Sequence, residues 1–390
     1  MFPTQFTGAS FTWERKKLGD VAKITPGGTP SKNISNYWYP KEIPWLSSGE
    51  INKEIIFSTD DMISKEGFNN SSAKWIKQDS VLIALAGQGK TRGKVAINRI
   101  PLTTNQSIAG IEPSNEVYYK FLYHQLTKDY LKLRLVSSGD GSRGGLNKKL
   151  LNDYAVNLSS IDEQHKLGIL LSRIDNTLQL HERKCEELTL IKKALLQKLF
   201  PKKEEVRPEV RYKNFSDAWE QRKLGEVVNF LDTLRKPLEG AKRVKGPYPY
   251  YGASGIVDYV DGYLFDEELI LLSEDGANIT ERNYPVCFLA SGKYWVNNHA
   301  HVLKIKEDND NNFICNSLER KDYTKYNTGM AMPKLNKETC KGIPIMCPNY
   351  DEQKKIGNYF RKFDTLIALH QRKLEKLKQL KKFLLQNMFI

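Results

Sequence analysis

An internal repeat constrains this chain more than any other feature of its sequence. The segment Trp13–Val21 (WERKKLGDV) returns 206 positions later as Trp219–Val227 (WEQRKLGEV). The segment Asp162–Phe200 returns 189 positions later as Asp351–Phe389, and 18 of its 39 positions are identical. A period this long is incompatible with a solenoid, whose repeats have roughly 20–45 residues. The chain is therefore a duplication of one large unit, in which a globular segment precedes a helical one.

Both helical segments carry apolar residues at the alternating 3–4 spacing of a coiled coil. The predicted seam consists of Leu171, Ile174, Leu178, His181, Leu188 and Leu195 in the first copy and of Phe360, Phe363, Ile367, His370, Leu377 and Leu384 in the second. The same spacing includes Ile191 and Leu380. A 40-residue helix is roughly 60 Å long, and an apolar stripe of that length needs a partner. The simplest partner is the other copy, in antiparallel pairing. His181 and His370 occupy matching positions, which favours a register-setting role over catalysis.

The globular segments are typical of β-rich domains with some helix. Strands are predicted at 80–86, 94–98, 107–111, 269–273, 284–289 and 301–305, and a helix at 118–135. The sequence thus predicts an α+β fold: two homologous β-rich domains separated by two long helices that pair as an antiparallel coiled coil, with pseudo-twofold symmetry. The predicted segments are a first domain at 1–160, a first helix at 161–200, a linker at 201–212, a second domain at 213–349 and a second helix at 350–390.

Composition narrows the class of protein. The five cysteines are an odd number without a C-x-x-C pair, so a zinc ribbon and a disulfide scaffold are disfavoured. The apolar runs fall far short of the ~20 residues of a membrane span, and residues 1–10 lack the pattern of a secretion signal. We therefore expect a cytoplasmic protein. The net charge of +14 and the isoelectric point near 9.3 indicate a polyanionic partner.

Known catalytic motifs are absent from the sequence. Gly89-Lys90-Thr91 resembles the end of a phosphate-binding loop, but Ala84 stands where the first glycine belongs and the following residues predict a strand. No two prolines are adjacent, which excludes the Asn/Asp-Pro-Pro-aromatic motif of amino-group DNA methyltransferases. His299 and His301, with Cys287 and Cys315 nearby, match no standard zinc spacing. The segment 298–301 is aligned with 105–108, which has no histidine. No metal site and no catalytic residue are predicted.

Loops that mix lysine or arginine with glycine, asparagine and aromatic residues occur in both halves. Arginine and lysine can read guanine, asparagine and glutamine can read adenine, and lysines can contact phosphates. Any one of these residues is more often a solvated surface residue, but together, on a basic duplicated chain, they favour DNA reading. The candidate DNA-binding residues are Tyr37, Trp38, Gln88, Lys90, Thr91, Arg92, Arg143 and Asn147 in the first domain and Arg235, Lys236, Lys242, Arg243, Tyr250, Asn278 and His299 in the second.

The chain resembles the specificity subunits of type I restriction-modification systems from about Trp13 to its C-terminus. The most specific parts are the doubled W-E-x-[KR]-K-L-G-[DE]-V entry and the doubled D-E-Q opening of the helices. The segments 28–31, 43–45, 251–256 and 273–278 also resemble common target recognition domains of this family.

The resemblance implies that each globular segment is a target recognition domain for one half of a split, asymmetric site in double-stranded DNA. It also implies that the paired helices set the distance between the half-sites and dock two modification subunits. Those subunits would carry S-adenosylmethionine and methylate adenine, while restriction subunits would use ATP and Mg²⁺ to translocate and cleave DNA. This chain would bind none of these cofactors and would catalyse nothing.

Two other functions are compatible with the residues alone. One is a stand-alone nuclease or nucleotide-dependent enzyme that uses the Gly89-Lys90-Thr91 loop, and activity of the isolated chain would favour it. The other is a coiled-coil adaptor that never contacts DNA. Salt-dependent DNA binding would separate the adaptor from a specificity subunit.

Overall fold

The computed structural model describes residues 13–87, 91–136, 145–202 and 205–389. The chain forms two compact units. The first combines the residues up to Leu180 with those from Lys373 onward, and the second is the continuous stretch His181–Arg372. The boundary between the units cuts both long helices, so that each unit contains one globular domain and parts of both helices. None of the helices in the described part of the chain is long and apolar enough to span a membrane.

The described residues of the first domain form ten short strands and five short helices, followed by a long helix. Its strands are β1 (Glu14–Lys17), β2 (Ala22–Pro26), β3 (Ile43–Leu46), β4 (Ile55–Ile56), β5 (Asp61–Ile63), β6 (Val81–Ala84), β7 (Val95–Asn98), β8 (Thr103–Thr104), β9 (Ile108–Pro113) and β10 (Ala155–Leu158). Its helices are α1 (Leu18–Val21), α2 (Lys65–Asn69), α3 (Tyr119–Lys128), α4 (Tyr130–Val136) and α5 (Lys148–Asp153), and the long helix is α6 (Ile161–Lys198). The sheets have the strand orders β2-β9-β6-β7-β4, β5-β3-β8 and β1-β10.

The second domain repeats this plan. Its strands are β11 (Glu220–Lys223), β12 (Val228–Phe230), β13 (Tyr248–Gly252), β14 (Gly255–Val260), β15 (Phe265–Asp266), β16 (Leu269–Ser273), β17 (Cys287–Ala290), β18 (Lys293–Val296), β19 (Ala300–Ile305) and β20 (Pro344–Cys347). Its helices are α7 (Leu224–Val227), α8 (Asn278–Glu281), α9 (Asn311–Glu319) and α10 (Lys337–Lys341), and the long helix is α11 (Tyr350–Met388). The sheets have the orders β12-β19-β16-β17, β14-β13-β18-β15 and β11-β20.

The strands β6 and β16 occupy inner positions of their sheets and are apolar except for Ser273 at the end of β16. All residues of β6 and of β16 are buried, as expected for strands covered on both faces. A second sheet contains the same parallel pair in each copy: β3 lies beside β8 with Trp45 opposite Thr103, and β13 lies beside β18 with Tyr250 opposite Trp295. The predicted α+β fold with two homologous β-rich domains is confirmed.

Each domain completes its core with the end of a long helix. In the first unit, the Phe389 ring lies 5.1 Å from that of Phe121 and 6.1 Å from that of Trp13. In the second unit, Phe200 makes the same contacts, 5.1 Å from Phe313 and 5.9 Å from Trp219. The two repeated tryptophans, which mark the entry to each domain, are thus held by the repeated phenylalanines at the ends of the helices.

The glutamine of the repeated D-E-Q motif has the same structural role in both domains. Gln164 is buried, and its amide donates to the carbonyls of Glu116 (3.0 Å) and Ser159 (2.9 Å) while its Oε1 accepts from Tyr118 N (3.0 Å). In the second domain, the buried Gln353 donates to Pro348 O (3.0 Å) and accepts from Asp310 N (3.2 Å). Each glutamine therefore ties the start of a long helix to the start of a domain helix, α3 or α9.

The long helices pair antiparallel within the second unit. The Nδ1 atoms of His181 and His370 lie 2.7 Å apart, and Lys192 Nζ lies 2.5 Å from Asp364 Oδ1. The residue number rises along α6 from His181 to Lys192 while that of the partner falls along α11 from His370 to Asp364, so the two helices run antiparallel. The first unit contains the ion pair equivalent to Lys192–Asp364, Lys381 with Asp175, also at 2.5 Å.

Two sequence predictions need correction. The helix predicted at 118–135 is two helices, since α3 ends at Lys128 and α4 begins at Tyr130. Asp129 between them caps α3, its backbone N–H donating to Gln125 O. Ile191 and Leu380, which share the seam spacing, are 47% and 40% exposed. A helix with 3.6 residues per turn drifts by about 20° per heptad relative to a 3.5-residue repeat, so a strict seam does not remain buried along its whole length.

Candidate nucleic-acid interface

In the second domain, four backbone segments meet beyond the end of β16. Glu274 N donates to His299 O (2.9 Å), and Leu335 N donates to Glu274 O (2.7 Å). Lys236 N donates to Val296 O (3.2 Å), just before the turn that contains His299. Four of the predicted second-domain residues, Arg235, Lys236, Asn278 and His299, lie on or beside these segments. We call this edge of the domain the β16 rim.

A buried charge cluster supports the rim from below. Arg235 donates to Glu274 Oε2 (2.7 Å) and to Ala300 O (2.8 Å). His301 is buried and lies 2.8 Å from Asp232 Oδ2 and 2.8 Å from Leu335 O. Burial alone would raise the pKa of Asp232, but the hydrogen bond and charge of His301 and the nearby Arg235 lower it. The cluster holds the rim segments in place.

Three predicted DNA-binding residues of the second domain have side chains that are held in contacts within the domain. Arg235 is committed to the charge cluster, and its side chain is 12% exposed. Asn278 is buried, and its amide donates to Ser273 Oγ (2.9 Å) and Pro285 O (3.2 Å). Tyr250 is buried too, and its hydroxyl accepts from Leu238 N (2.9 Å). The sequence could not separate these residues from exposed ones because polar side chains that support a loop and those that project from it share the same composition.

The remaining candidates of the second domain reach solvent. Lys236 is exposed, and the His299 side chain is 51% exposed while its Nδ1 lies 2.9 Å from Asp275. Lys242 is exposed and pairs with Glu239. Arg243 is partly buried, stacks over the Tyr250 ring at 4.6 Å and donates to Leu238 O (3.0 Å). Lys236 and His299 are therefore the exposed candidates at the β16 rim.

The first domain builds an equivalent rim beyond β6. Leu85 N donates to Ser107 O (2.8 Å), and Leu146 N donates to Leu85 O (2.8 Å). These bonds correspond to those of Glu274 with His299 and Leu335. Thr91 and Arg92 are partly buried and precede β7, so the residues after Thr91 continue into a strand, as the sequence predicts. The candidates Gln88, Lys90 and Arg143 lie outside the described residues.

Three first-domain candidates have structural contacts. Trp38 packs edge-on against Trp45 with ring centroids 5.1 Å apart, and its Nε1 donates to Ser31 O (3.1 Å). Tyr37 is partly buried, and its carbonyl accepts from Ser64 N (3.0 Å). The Asn147 side chain caps α5 by accepting from Leu150 N (2.9 Å). Trp38 and Asn147 thus have structural contacts as well, and their role as DNA-binding candidates stays a prediction.

The alignment of the two rims also needs correction by one position. Asn105 Oδ1 accepts from Ser107 N (3.1 Å), and Asn297 Oδ1 accepts from His299 N (2.8 Å). Asn105 therefore corresponds to Asn297, not to Asn298, and His299 corresponds to Ser107. The adjacent asparagines at 297 and 298 made the sequence ambiguous. The rim position of His299 is thus one at which the two domains differ in chemistry.

The histidines and cysteines that were considered as zinc ligands do not lie together in the structure. His299 is exposed at the rim, whereas His301 is buried in the charge cluster. The sulfur atoms of Cys287 and Cys315 lie 3.7 Å apart in the core, and burial raises the pKa of the Cys287 thiol. Among the residues that the structure describes, no group of three or more His, Cys, Asp or Glu side chains could hold a metal ion.

One rim element was missed by the sequence reasoning. The segment Asn327–Lys334 lies against the rim through Gly276 N, which donates to Pro333 O (3.1 Å). The two rims share bonding at Leu146 and Leu335, so the loops before these leucines correspond. The signal available in the sequence was Leu146-Asn147-Lys148 repeated as Leu335-Asn336-Lys337.

Comparisons with known proteins agree with this duplicated architecture. A solved structure of the type I restriction-modification S subunit from Mycoplasma genitalium has the same fold, with a TM-score of 0.76 over 100% of this chain and 99% of that chain at 16% identity. The MjaIX specificity subunit of Methanocaldococcus jannaschii is 24% identical over 96% of this chain and 92% of its own length.

Higher identity is confined to part of the chain. A type I restriction enzyme specificity subunit of Escherichia coli is 30% identical over 166 residues, which are 42% of this chain and 41% of that protein. A Haemophilus influenzae relative also matches over 38% of its own length. The chain thus spans about two fifths of these two relatives.

The family is settled by its sequence model. The model described as Type I restriction modification DNA specificity domain matches residues 11–190 and again residues 216–379. The two matches cover both domains and reach into both long helices. The expected family, the type I specificity subunits, is confirmed by this match and by the relatives. The chain belongs to the family of type I restriction-modification DNA specificity subunits.

Proposed function

We propose that this chain reads a bipartite, asymmetric DNA site, with one half-site read by each domain. The observation that carries the proposal is that the two domains share their rim bonding but not their rim side chains. His299 stands where the first domain has Ser107, and the loop before Leu335 differs from the loop before Leu146. One scaffold with two sets of exposed side chains is what two different half-sites require.

The domains of this proposal are residues 1–160 and 213–349, and the linker is 201–212. Replacing residues 14–158 with the equivalent segment of a relative tests their independence. We expect one half of the methylated motif to change and the other to stay. A simultaneous change of both halves would contradict modular reading.

The long helices are proposed to dock two modification subunits. Both helices expose large apolar side chains, among them Leu180 (56%), Leu190 (67%) and Phe383 (60%). S-adenosylmethionine would then be bound by the modification subunits, and ATP and Mg²⁺ by restriction subunits, with none held by this chain.

Methylome sequencing of cells that carry the chain with a type I modification subunit tests the function directly. We expect a split methylated motif that is absent without the chain. In the purified complex, log K for DNA should fall steeply with log salt, with a slope of about −0.9 per neutralised phosphate. Methylation by the chain alone, or salt-insensitive binding, would contradict the proposal.

A further inference from the structure

The segment Asn327–Lys334 presents two methionines to solvent. Met330 is fully exposed and Met332 is 61% exposed. Single exposed apolar residues are common on protein surfaces, so exposure alone identifies no site. Met330 and Met332 differ from such scattered residues because only Ala331 separates them and because their loop is closed by several hydrogen bonds.

The loop is pinned at its base. Asn327 Oδ1 accepts from Gly329 N (2.9 Å) and from Lys334 N (2.8 Å), and Thr328 N donates to Lys334 O (2.8 Å). A Cβ atom at Gly329 would collide with the carbonyl oxygen of Met332. The backbone is therefore closed tightly on itself, and the two methionine side chains are directed away from the domain core.

The loop is part of the β16 rim. Pro333 O accepts from Gly276 N (3.1 Å). Asp275, the residue before Gly276, places its Oδ1 2.9 Å from His299 Nδ1. Lys334 lies at the foot of the loop with its side chain 49% exposed. Lys334 Nζ lies 3.5 Å from Glu274 Oε1, and His299 is paired with Asp275. The methionines thus form an apolar tip beside a half-exposed lysine, the kind of side chain that contacts phosphates.

The position of the loop is one at which the two domains diverge. The five residues before Leu335 are Met-Ala-Met-Pro-Lys, and the five before Leu146 are Gly-Ser-Arg-Gly-Gly. Since the leucines make the same rim bond in both domains, the sequence replaces an arginine of the first copy, Arg143, by Met332 in the second. Arginine is the usual reader of guanine, whereas apolar side chains contact the 5-methyl group of thymine.

We propose that Asn327–Lys334 is a base-contacting loop of the second domain, in which Met330 and Met332 contact thymine methyl groups of its half-site. The unbranched methionine side chain adapts to such a surface, and Lys334 contacts a phosphate beside it. This assignment rests on the proposed function, that the second domain reads DNA.

The test uses the chain in complex with a type I modification subunit. In the variant, Met330→Ser is combined with Met332→Ser. The matched control, Val206→Ser with Val210→Ser, removes two exposed aliphatic side chains (49% and 43% exposed) from the linker. Each lost methyl contact should weaken binding about fourfold, so the methionine variant should bind its site at least about tenfold more weakly. Its second half-site should become degenerate, while the first half-site and the thermal midpoint stay unchanged.

Uracil substitution tests the chemistry of the contact, because it removes only the thymine methyl group. The wild-type complex should lose affinity when thymines of the second half-site are replaced by uracil, and the methionine variant should not. A Gly329→Ala chain, which keeps both methionines but cannot keep the loop closed, should show the same loss of the half-site.

Three results would overturn the loop assignment: a second half-site without thymine, an unchanged motif in the methionine variant, or an unchanged motif in Gly329→Ala. The failure of the proposed function would look different, since the wild-type chain would then direct no split methylation motif at all.

Discussion

The Nδ1 atoms of His181 and His370 lie 2.7 Å apart, facing each other across the antiparallel helices of the second unit. At this distance one ring donates its Nδ1 proton to the Nδ1 of the other. In any shifted register of the two helices, each histidine would face an apolar side chain and lose its hydrogen bond. A polar pair in an apolar seam therefore favours one register, although it makes the helix pair less stable than an apolar pair would. The two equivalent histidines of the repeat thus form a pair that selects the alignment of the helices.

A double-mutant cycle on this pair is the first prediction. His181→Leu should lower the free energy of unfolding by about 1 kcal/mol because the hydrogen bond between the rings is lost. Combined with His370→Leu, it should recover that stability or exceed it, since two leucines pack across the seam. The coupling in denaturant unfolding should exceed about 0.5 kcal/mol, and simple additivity would contradict the pairing.

A second prediction concerns acid sensitivity of the first unit. Burial, with Lys381 and Lys120 nearby, lowers the pKa of His124 to about 3. The ring lies 3.2 Å from Ser172 Oγ and 3.9 Å from Asp175 Oδ2. Since the unfolded chain takes up a proton below its pKa of about 6.5 and the folded chain does not, stability is complete above that value and is lost as the pH falls toward 3.

The expected loss is roughly 2 kcal/mol between pH 7 and pH 5. It can be measured by denaturant unfolding followed in the first domain. His124→Asn introduces the residue that the second domain carries at this place, Asn316, and should flatten the pH profile in this range. A variant with the wild-type pH dependence would show that another group is responsible.

A third prediction concerns the bidentate pair of Arg211 and Glu352. Arg211 donates to both carboxylate oxygens at 2.7 Å, and the Glu352 side chain is fully buried. Arg211→Met should destabilise the second unit by about 3 kcal/mol, because it leaves a buried carboxylate without its partner. Lys242→Met, which breaks an exposed pair with Glu239, is the matched control and should cost less than about 0.5 kcal/mol.

A fourth prediction compares the two buried glutamines. Gln164 makes three hydrogen bonds and Gln353 makes two. Each substitution to alanine leaves buried backbone groups unpaired, at roughly 1–3 kcal/mol per group, so Gln164→Ala should cost more than Gln353→Ala. Thermal unfolding of both variants gives the comparison, and equal costs would contradict it.

A fifth prediction treats the helices as a ruler between half-sites. Inserting four residues after Lys198 adds about 6 Å of helix, equivalent to roughly one or two base pairs at ~3.4 Å each. The spacer of the methylated motif should lengthen by that amount while both half-sites stay the same. An unchanged spacer in an active complex would show that the helices do not set the distance.

The architecture could be predicted from the sequence because it depends on long patterns. The doubled Trp13 and Trp219 segments and the heptads of both helices extend over many residues, and periodicity of this length survives local exceptions. The strand at 269–273 is observed at those residues, because an unbroken apolar run between turns has one stable arrangement in a sheet.

The interface could not be predicted in the same way. Asn278 and Lys236 are both polar loop residues, and only the packing of neighbouring segments makes one a buried support and the other an exposed side chain. The loop with Met330 was overlooked because methionine is normally a core residue. Which side of a loop faces solvent is decided by contacts between segments far apart in sequence.

The phenylalanine that completes each domain has a consequence for biosynthesis. Phe200 is available to the second unit as soon as the residues up to Arg372 have been made, because that unit is one continuous stretch. The first domain instead depends on Phe389, which is made only after the second unit is complete. Domains generally fold in the order in which the ribosome releases them. The core of the N-terminal domain nevertheless stays incomplete until Phe389 has been made, by which time the core of the second domain can already form. The order in which the two domains are synthesised and the order in which their cores are completed are therefore opposite.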